Sequence, residues 1–310
     1  MTALEAVAVH LPPVSVPIEE IARSLGLPAR QATLLRRFHG LDRVRLDPEG
    51  TLYDLLMGAA TALEPLRGRE RQVRYVLHAR SLTQVPYPVN PLRRVCRELG
   101  LEHCVTFTVT HHACATGLLA IDVAGRLLAA DRDPDALALV LAGEKTFTRD
   151  ARLVPETSLF GESAAACLVR AGSAGRDRML SYATVLRGEF DGRLAEDPAL
   201  LQRFQRAYPD LLAEVIHAAL DAAGTDLGQL ALILPHNVNL VSWRTLCKRL
   251  GFPIERVLLD NVPELGHSFA ADMFVNHHTA TTRGLLRPGD RYLVAAAGIG
   301  AAFSAMVFES

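Results

Sequence analysis

Short apolar runs alternate with amphipathic stretches along this chain. Runs rich in Val, Leu and Ala predict strands over 73–77, 105–110, 137–142, 164–169, 231–234, 256–260, 292–297 and 303–308, with a short one around 180–186. Apolar residues at helical spacing predict helices over 52–64, 91–99, 116–130, 201–223, 242–250 and 269–285. Helices interleaved with almost wholly apolar strands imply an α/β protein whose sheets are covered on both faces.

The order of elements repeats. Strand 105–110 leads to Cys114, a helix, strand 137–142, a polar connection and strand 164–169. Strand 256–260 leads to His267, a helix, strand 292–297, a glycine turn and strand 303–308. Cys114 precedes Leu137 by nearly the interval at which His267 precedes Arg291, so His267 reads as its counterpart. Two similar halves follow, 1–170 carrying Cys114 and 171–310 carrying His236 and His267, with a Gly-rich, charged junction over 171–200.

Composition narrows the function classes. With 33 basic and 34 acidic residues in 310, the net charge is −1. That balance argues against a broad nucleic-acid or membrane surface. The start, MTALEAVAVHLPP, does not read as a signal peptide, and no apolar stretch reads as a membrane helix. Five cysteines, an odd number without a CxxC pair, fit reduced thiols in the cytoplasm. His277 and His278 are adjacent on a predicted helix and project about 100° apart, so no metal site is expected.

Four segments could carry chemistry. Cys114 stands in VTFTVTHHACATGLL, where a β-rich run meets a tight turn of small residues and then a helix. A thiol at a helix start feels the positive end of the helix dipole, although a buried, inert Cys fits the same text. His236 and Asn239 follow an apolar strand in LILPHNVN, a strand end where a functional or a purely structural histidine can sit. His267 follows Gly266 in GHSFAAD. Gly298 and Gly300 interrupt YLVAAAGIGAAFSAMVF, and such a turn could aim backbone N–H groups at an oxyanion.

Together these motifs resemble the ketoacyl synthase III group of the thiolase superfamily. The resemblance rests on ACATG (113–117), PHNVN (235–239) followed by KRLG (248–251), LFGESAAACLV (159–169) and AAAGIGAAFSAMVF (295–308). It implies a thiolase fold, two βαβαβ halves packed as five layers, and a homodimer in which Tyr87 and Pro88 match a segment that reaches the partner's pocket. It also implies Cys114, His236 and His267 as catalytic residues. Cys114, Ile299 and Gly300 would form the oxyanion hole, and Tyr87, Phe160 and Asn239 the substrate pocket. Arg244, Lys248 and Arg249, on the helix after His236, read either as a solvated helix face or, at the expected mouth of the site, as a docking surface for an acidic carrier protein. No bound cofactor is implied. Three departures matter: His267 replaces the family's Asn, Val241 replaces an Arg, and the Trp that stacks on coenzyme A is missing, Trp243 being the only one.

The implied chemistry is acyl transfer through an acyl-Cys114 thioester, from an acyl-carrier protein or acyl-CoA donor. Decarboxylative condensation with a malonyl-type thioester, in specialised, fatty-acid or polyketide metabolism, is the first reading. Transfer to a hydroxyl or amine of a small molecule, with a histidine as base, is the second. A non-catalytic partner subunit of a heterodimer is the third.

Overall fold

Most of the apolar runs become strands of a single sheet whose order reveals the two halves. The computed structural model describes residues 1–310 except 83–89, 149, 155, 173–175, 191–193 and 195. The first half holds β1 (Thr2–His10), β2 (Val14–Pro17), α1 (Ile18–Ser24), α2 (Ala29–Arg37), β3 (Arg43–Leu46) and α3 (Leu52–Thr61). It continues through β4 (Val73–Ala79), α4 (Pro91–Glu98), β5 (Val105–Val109), α5 (Thr116–Asp131), β6 (Leu137–Gly143), β7 (Leu153–Val154), β8 (Ser158–Leu159) and β9 (Ala164–Ala171). The second half holds β10 (Asp177–Leu186), α6 (Pro198–Ala222), β11 (Leu230–Pro235), α7 (Leu240–Leu250), α8 (Asn261–Leu265), α9 (Asp272–Thr282), β12 (Arg291–Gly298) and β13 (Ala302–Glu309).

The sheet order is β11-β12-β13-β10-β1-β9-β6-β4-β5. From the centre outwards each half runs antiparallel, antiparallel, then parallel: β1 to β9 to β6 to β4, and β10 to β13 to β12 to β11. The halves meet where β1 pairs β10 over only Thr2–Leu4. Helices α5 and α9 lie between them in a shared core that takes Leu118, Ile121, Met273 and Phe274 from the helices, Val140 and Cys167 from one half, and Val294 and Phe308 from the other. Helix α3 and helix α4 cover the outer face of the first half. Helix α6 and helix α7 cover the outer face of the second. The layers are therefore helix, sheet, helix, sheet, helix.

Two expectations change. Segment 256–260 is not a strand; it forms a single parallel bridge, Ile233 to Val257, at the edge of β11. It stands where β5 stands in the first half, but a 3-10 turn (Ile254–Arg256) before it and α8 after it leave no room for a ladder. Conversely β1 forms where no strand was expected, and the ten-residue β10 extends beyond the expected 180–186. Stretch Ala113–Asp131 is also apolar and long enough to cross a membrane by length and composition, contrary to the sequence expectation, yet in this fold it is the packed central helix.

Candidate active site

The site forms where α5 and α9 begin. Each helix is entered through a 3-10 turn, Ala113–Ala115 and Phe269–Ala271, and each turn opens on a residue with left-handed backbone, Ala113 (φ 45°) and Phe269 (φ 56°). His111 (φ 71°) is left-handed too, so the approach to Cys114 is held in costly conformations by its surroundings. The two helix starts nearly touch: a Cβ on Gly117 would lie 2.7 Å from the Ala270 carbonyl oxygen. By local conformation Ala270, not His267, is therefore the counterpart of Cys114. His267 stands three residues earlier, which lets its ring reach across to the sulfur.

Cys114 and His267 meet directly. His267 Nε2 is 3.0 Å from Cys114 Sγ, and His267 Nδ1 is 2.5 Å from Asp272 Oδ2. Asp272 is held rigidly in turn: its carboxylate also accepts the Asn237 N–H (2.6 Å) and the Ser268 N–H (2.7 Å). All three side chains are buried. Burial alone would pull the His267 pKa down, but negative charge on Cys114 and Asp272, with their hydrogen bonds, pushes it up to about 10. The Phe160 ring stacks on His267 (4.7 Å between centroids) and on Phe269 (4.0 Å), fixing the imidazole plane.

His236 behaves differently. Its Nε2 is 2.8 Å from the Tyr208 hydroxyl of α6, and its ring centroid is 5.8 Å from that of His267. Trp243 Nε1 donates to the His236 carbonyl (2.9 Å), so the single Trp anchors this turn from within the core. Burial first, and the His267 charge second, hold the His236 pKa down at about 3 against the Ala295 carbonyl. His236 is therefore neutral at physiological pH, beside a histidine that is cationic.

These shifts have a consequence for stability. His78, buried with Nε2 3.1 Å from the Gly143 carbonyl, is likewise held at about 4 by burial. In the unfolded chain both histidines titrate near 6.5. Below that pH the unfolded state binds more protons, so stability falls as pH drops through this window. His267, with its raised pKa, works in the opposite sense: its contribution is present below the unfolded value and is lost as pH rises through about 10. Two against one leaves a net loss of roughly 2–3 kcal/mol between pH 7 and pH 5. Urea unfolding at the two pH values measures it; an equal or higher midpoint at pH 5 would contradict the assignment.

A cavity of about 380 Å³ opens onto Cys114, His236 and His267. Its wall is largely apolar, with Leu201, Phe204 and Tyr208 from α6, Val238, Val241 from α7, and half-exposed Ile299. The turn carrying Ile299 and Gly300 closes on the nucleophile's own turn, for a Cβ on Gly298 would lie 2.4 Å from the His112 carbonyl oxygen. Gly300 is left-handed (φ 94°), and the turn is closed by Ala301 N–H to the Gly298 carbonyl (3.0 Å).

Several expected site residues sit elsewhere. Asn239 does not line this cavity; its side chain caps α7 through the Ser242 N–H (2.8 Å) and donates to the Thr157 carbonyl (3.2 Å). Phe160 backs His267 rather than lining the cavity. Tyr87 lies outside the described residues. Arg244, Lys248 and Arg249 are exposed on α7, and Arg249 is paired with Asp210 of α6 at 2.8 Å. His277 is buried 3.1 Å from Asp177 Oδ2, while His278 is exposed. Two residues were not singled out from the sequence: Asp272, which ends the GHSFAAD turn already noted, and Tyr208, an unremarkable position on an amphipathic helix.

The five thiols are not alike. Burial pushes Cys96, Cys104 and Cys247 up to about 11, and Cys167 further still. Among them only Cys114 faces the cavity with an imidazole on its sulfur.

Known proteins share this plan. Residues 220–310 match the family described as 3-oxoacyl-[acyl-carrier-protein (ACP)] synthase III C terminal. The β-ketoacyl-[acyl-carrier-protein] synthase III of Ruegeria sp. (strain TM1040) is 27% identical over 295 residues, 89% of each chain. The chain is a β-ketoacyl synthase III-like enzyme. Its fold is the thiolase fold. The 3-oxoacyl-[acyl-carrier-protein] synthase III of Aquifex aeolicus VF5 superposes with a TM-score of 0.82 over all of both chains at 20% identity. ChlB3, described as an acyltransferase, superposes with a TM-score of 0.87 over 99% of this chain and 97% of its own, at 21% identity. This synthase III-like chain thus keeps the family frame, with a Cys–His–Asp line where the family's Asn would stand.

Proposed function

We propose that this synthase III-like enzyme moves an acyl group from a carrier-protein or coenzyme A thioester, through acyl-Cys114, to a hydroxyl or amine of a small molecule without decarboxylation. One observation supports this over condensation: the Asp272 carboxylate accepts the His267 Nδ1–H at 2.5 Å. Once the Cys114 charge is lost in the acyl-enzyme, a neutral His267 keeps its proton on Nδ1 and carries a bare Nε2 toward Cys114, which makes it a base rather than a donor. Condensation asks both histidines to donate to a malonyl carbonyl.

In the first half-reaction the Cys114 sulfur attacks the thioester carbonyl while His267 holds the proton. The oxyanion is met by the Cys114 N–H and an N–H of the 299–300 turn. Collapse breaks the donor C–S bond, and the carrier thiol leaves with the proton from His267. In the second, His267 Nε2 takes the acceptor's proton as its oxygen or nitrogen attacks the acyl-cysteine. The C–S bond to Cys114 breaks, and the sulfur leaves as thiolate beside the imidazolium. The largely apolar cavity suits the extended arm of a thioester. A carrier would dock on Arg244 and Lys248, since Arg249 is held by Asp210. Edge strand β5, with Val105 exposed, suits pairing with a second copy. Five free thiols suit a reducing, cytoplasmic compartment.

Condensation remains the second reading because the sequence relatives carry the β-ketoacyl synthase III name, and a structural match is a priming β-ketosynthase of the R1128 polyketide pathway, at 18% identity. Asp272→Asn separates the two. The variant lets Nε2 carry the proton, so discharge of acyl-Cys114 to an alcohol or amine should fall about a hundredfold. Malonyl decarboxylation, which needs a donor, should not fall. Unchanged discharge to the acceptor would overturn the proposal.

A further inference from the structure

We infer that Tyr208 is a specificity-determining residue that keeps His236 from serving a malonyl-type substrate; this rests on the non-decarboxylative reading above. The Tyr208 hydroxyl is 2.8 Å from His236 Nε2, the atom this histidine would turn toward a thioester carbonyl. In either tautomer that nitrogen is occupied: its proton goes to the Tyr208 oxygen, or its lone pair accepts the Tyr208 proton. The pair cannot easily part. The Tyr208 ring packs edge-on against Phe204 (5.9 Å) and Phe303 (5.8 Å), and Trp243 lies edge-on to His236 at 5.7 Å while holding its carbonyl. Tyr208 also lines the cavity with Cys114 and His236, so its hydroxyl sits where the second substrate must come.

The consequence is selective. A malonyl thioester would need to displace Tyr208 from His236 before its carbonyl found a donor there. An alcohol or amine needs only His267, whose partners are Cys114 and Asp272. Tyr208 thereby acts through His236 and is a positioning residue for that histidine.

Tyr208→Phe removes the oxygen and keeps the ring. Two quantities are read on the full chain. One is the ratio of carbon dioxide release from malonyl-carrier thioester to acyl transfer onto an alcohol or amine. The other is the nitrogen chemical shift of the His236 imidazole, observed by labelled-histidine NMR independently of turnover. The variant should raise the ratio about tenfold or more, the rate equivalent of freeing one hydrogen-bonding group, and move the Nε2 resonance to that of an unbonded nitrogen. An unmoved ratio in a folded variant whose Nε2 resonance has shifted would overturn the role of Tyr208 while leaving the proposed transfer intact. An unmoved resonance would overturn it at the level of the contact. Wild-type protein that already releases carbon dioxide as fast as it transfers acyl groups would instead sink the reading on which the inference rests.

Discussion

Cys114→Ala is expected to abolish the acyl adduct and to lower acyl transfer by at least about 10⁴-fold, the scale of losing the nucleophile of a covalent mechanism. The geometry is specific about which thiol matters. Cys114 alone has an imidazole nitrogen 3.0 Å from its sulfur and opens onto the cavity. Cys167 sits in the shared core on β9, Cys96 and Cys247 are buried on α4 and α7, and Cys104 contacts the Val73 carbonyl at 3.1 Å. Alanine at each of those four should leave an adduct that forms. Intact-protein mass spectrometry after incubation with acyl thioesters reads both results. An adduct of full stoichiometry on the Cys114→Ala protein would remove the chemical basis of the site.

His267→Asn is expected to cost transfer to an alcohol or amine about 10³-fold, within the range for loss of a positioned base. Asn keeps an N–H donor but cannot take the acceptor's proton, and it forfeits the charge that Asp272 supports on the imidazole. The sign of the accompanying change is as informative as its size. An amide restores the family's ordinary residue, so any latent malonyl decarboxylation should rise rather than fall. Steady-state ester or amide formation, measured beside carbon dioxide release, checks both. A variant that keeps full transfer would show that His267 is no base.

The sequence carried the large features because they depend on small-residue patterns. Runs such as LALVLAG of β6 and AAACLVRA of β9 are buried along most of their length and could only be central strands. The turn before Cys114 was legible from its string of small residues ahead of a helix. What the sequence hid depends on distance between remote segments. Segment 256–260 has a strand's composition, but a ladder needs neighbours at both ends, and turns cut it to one bridge. Asn239 read as a pocket residue because polar groups at strand ends often are, whereas here it caps α7 by accepting the Ser242 N–H. Asp272 lay within a quoted motif, and only the fold shows it accepting N–H groups from Asn237, His267 and Ser268. Tyr208 is 28 positions before His236 and gives no local signal for their contact.

The replacement of Asn by His at 267 was readable as a departure, but its meaning was open. A histidine there could donate, as condensation requires, or accept. Asp272 on its Nδ1 tilts that choice, since it settles which nitrogen of the neutral ring is bare.

The most direct measurement is single-turnover discharge of isolated acyl-Cys114 enzyme, with malonyl-carrier thioester in one arm and a panel of alcohols and amines in the other, following adduct mass and carbon dioxide together. The expected result is loss of the adduct to an alcohol or amine, with ester or amide formed and no carbon dioxide. Discharge by the malonyl thioester alone, with carbon dioxide and a ketoacyl product, would contradict it.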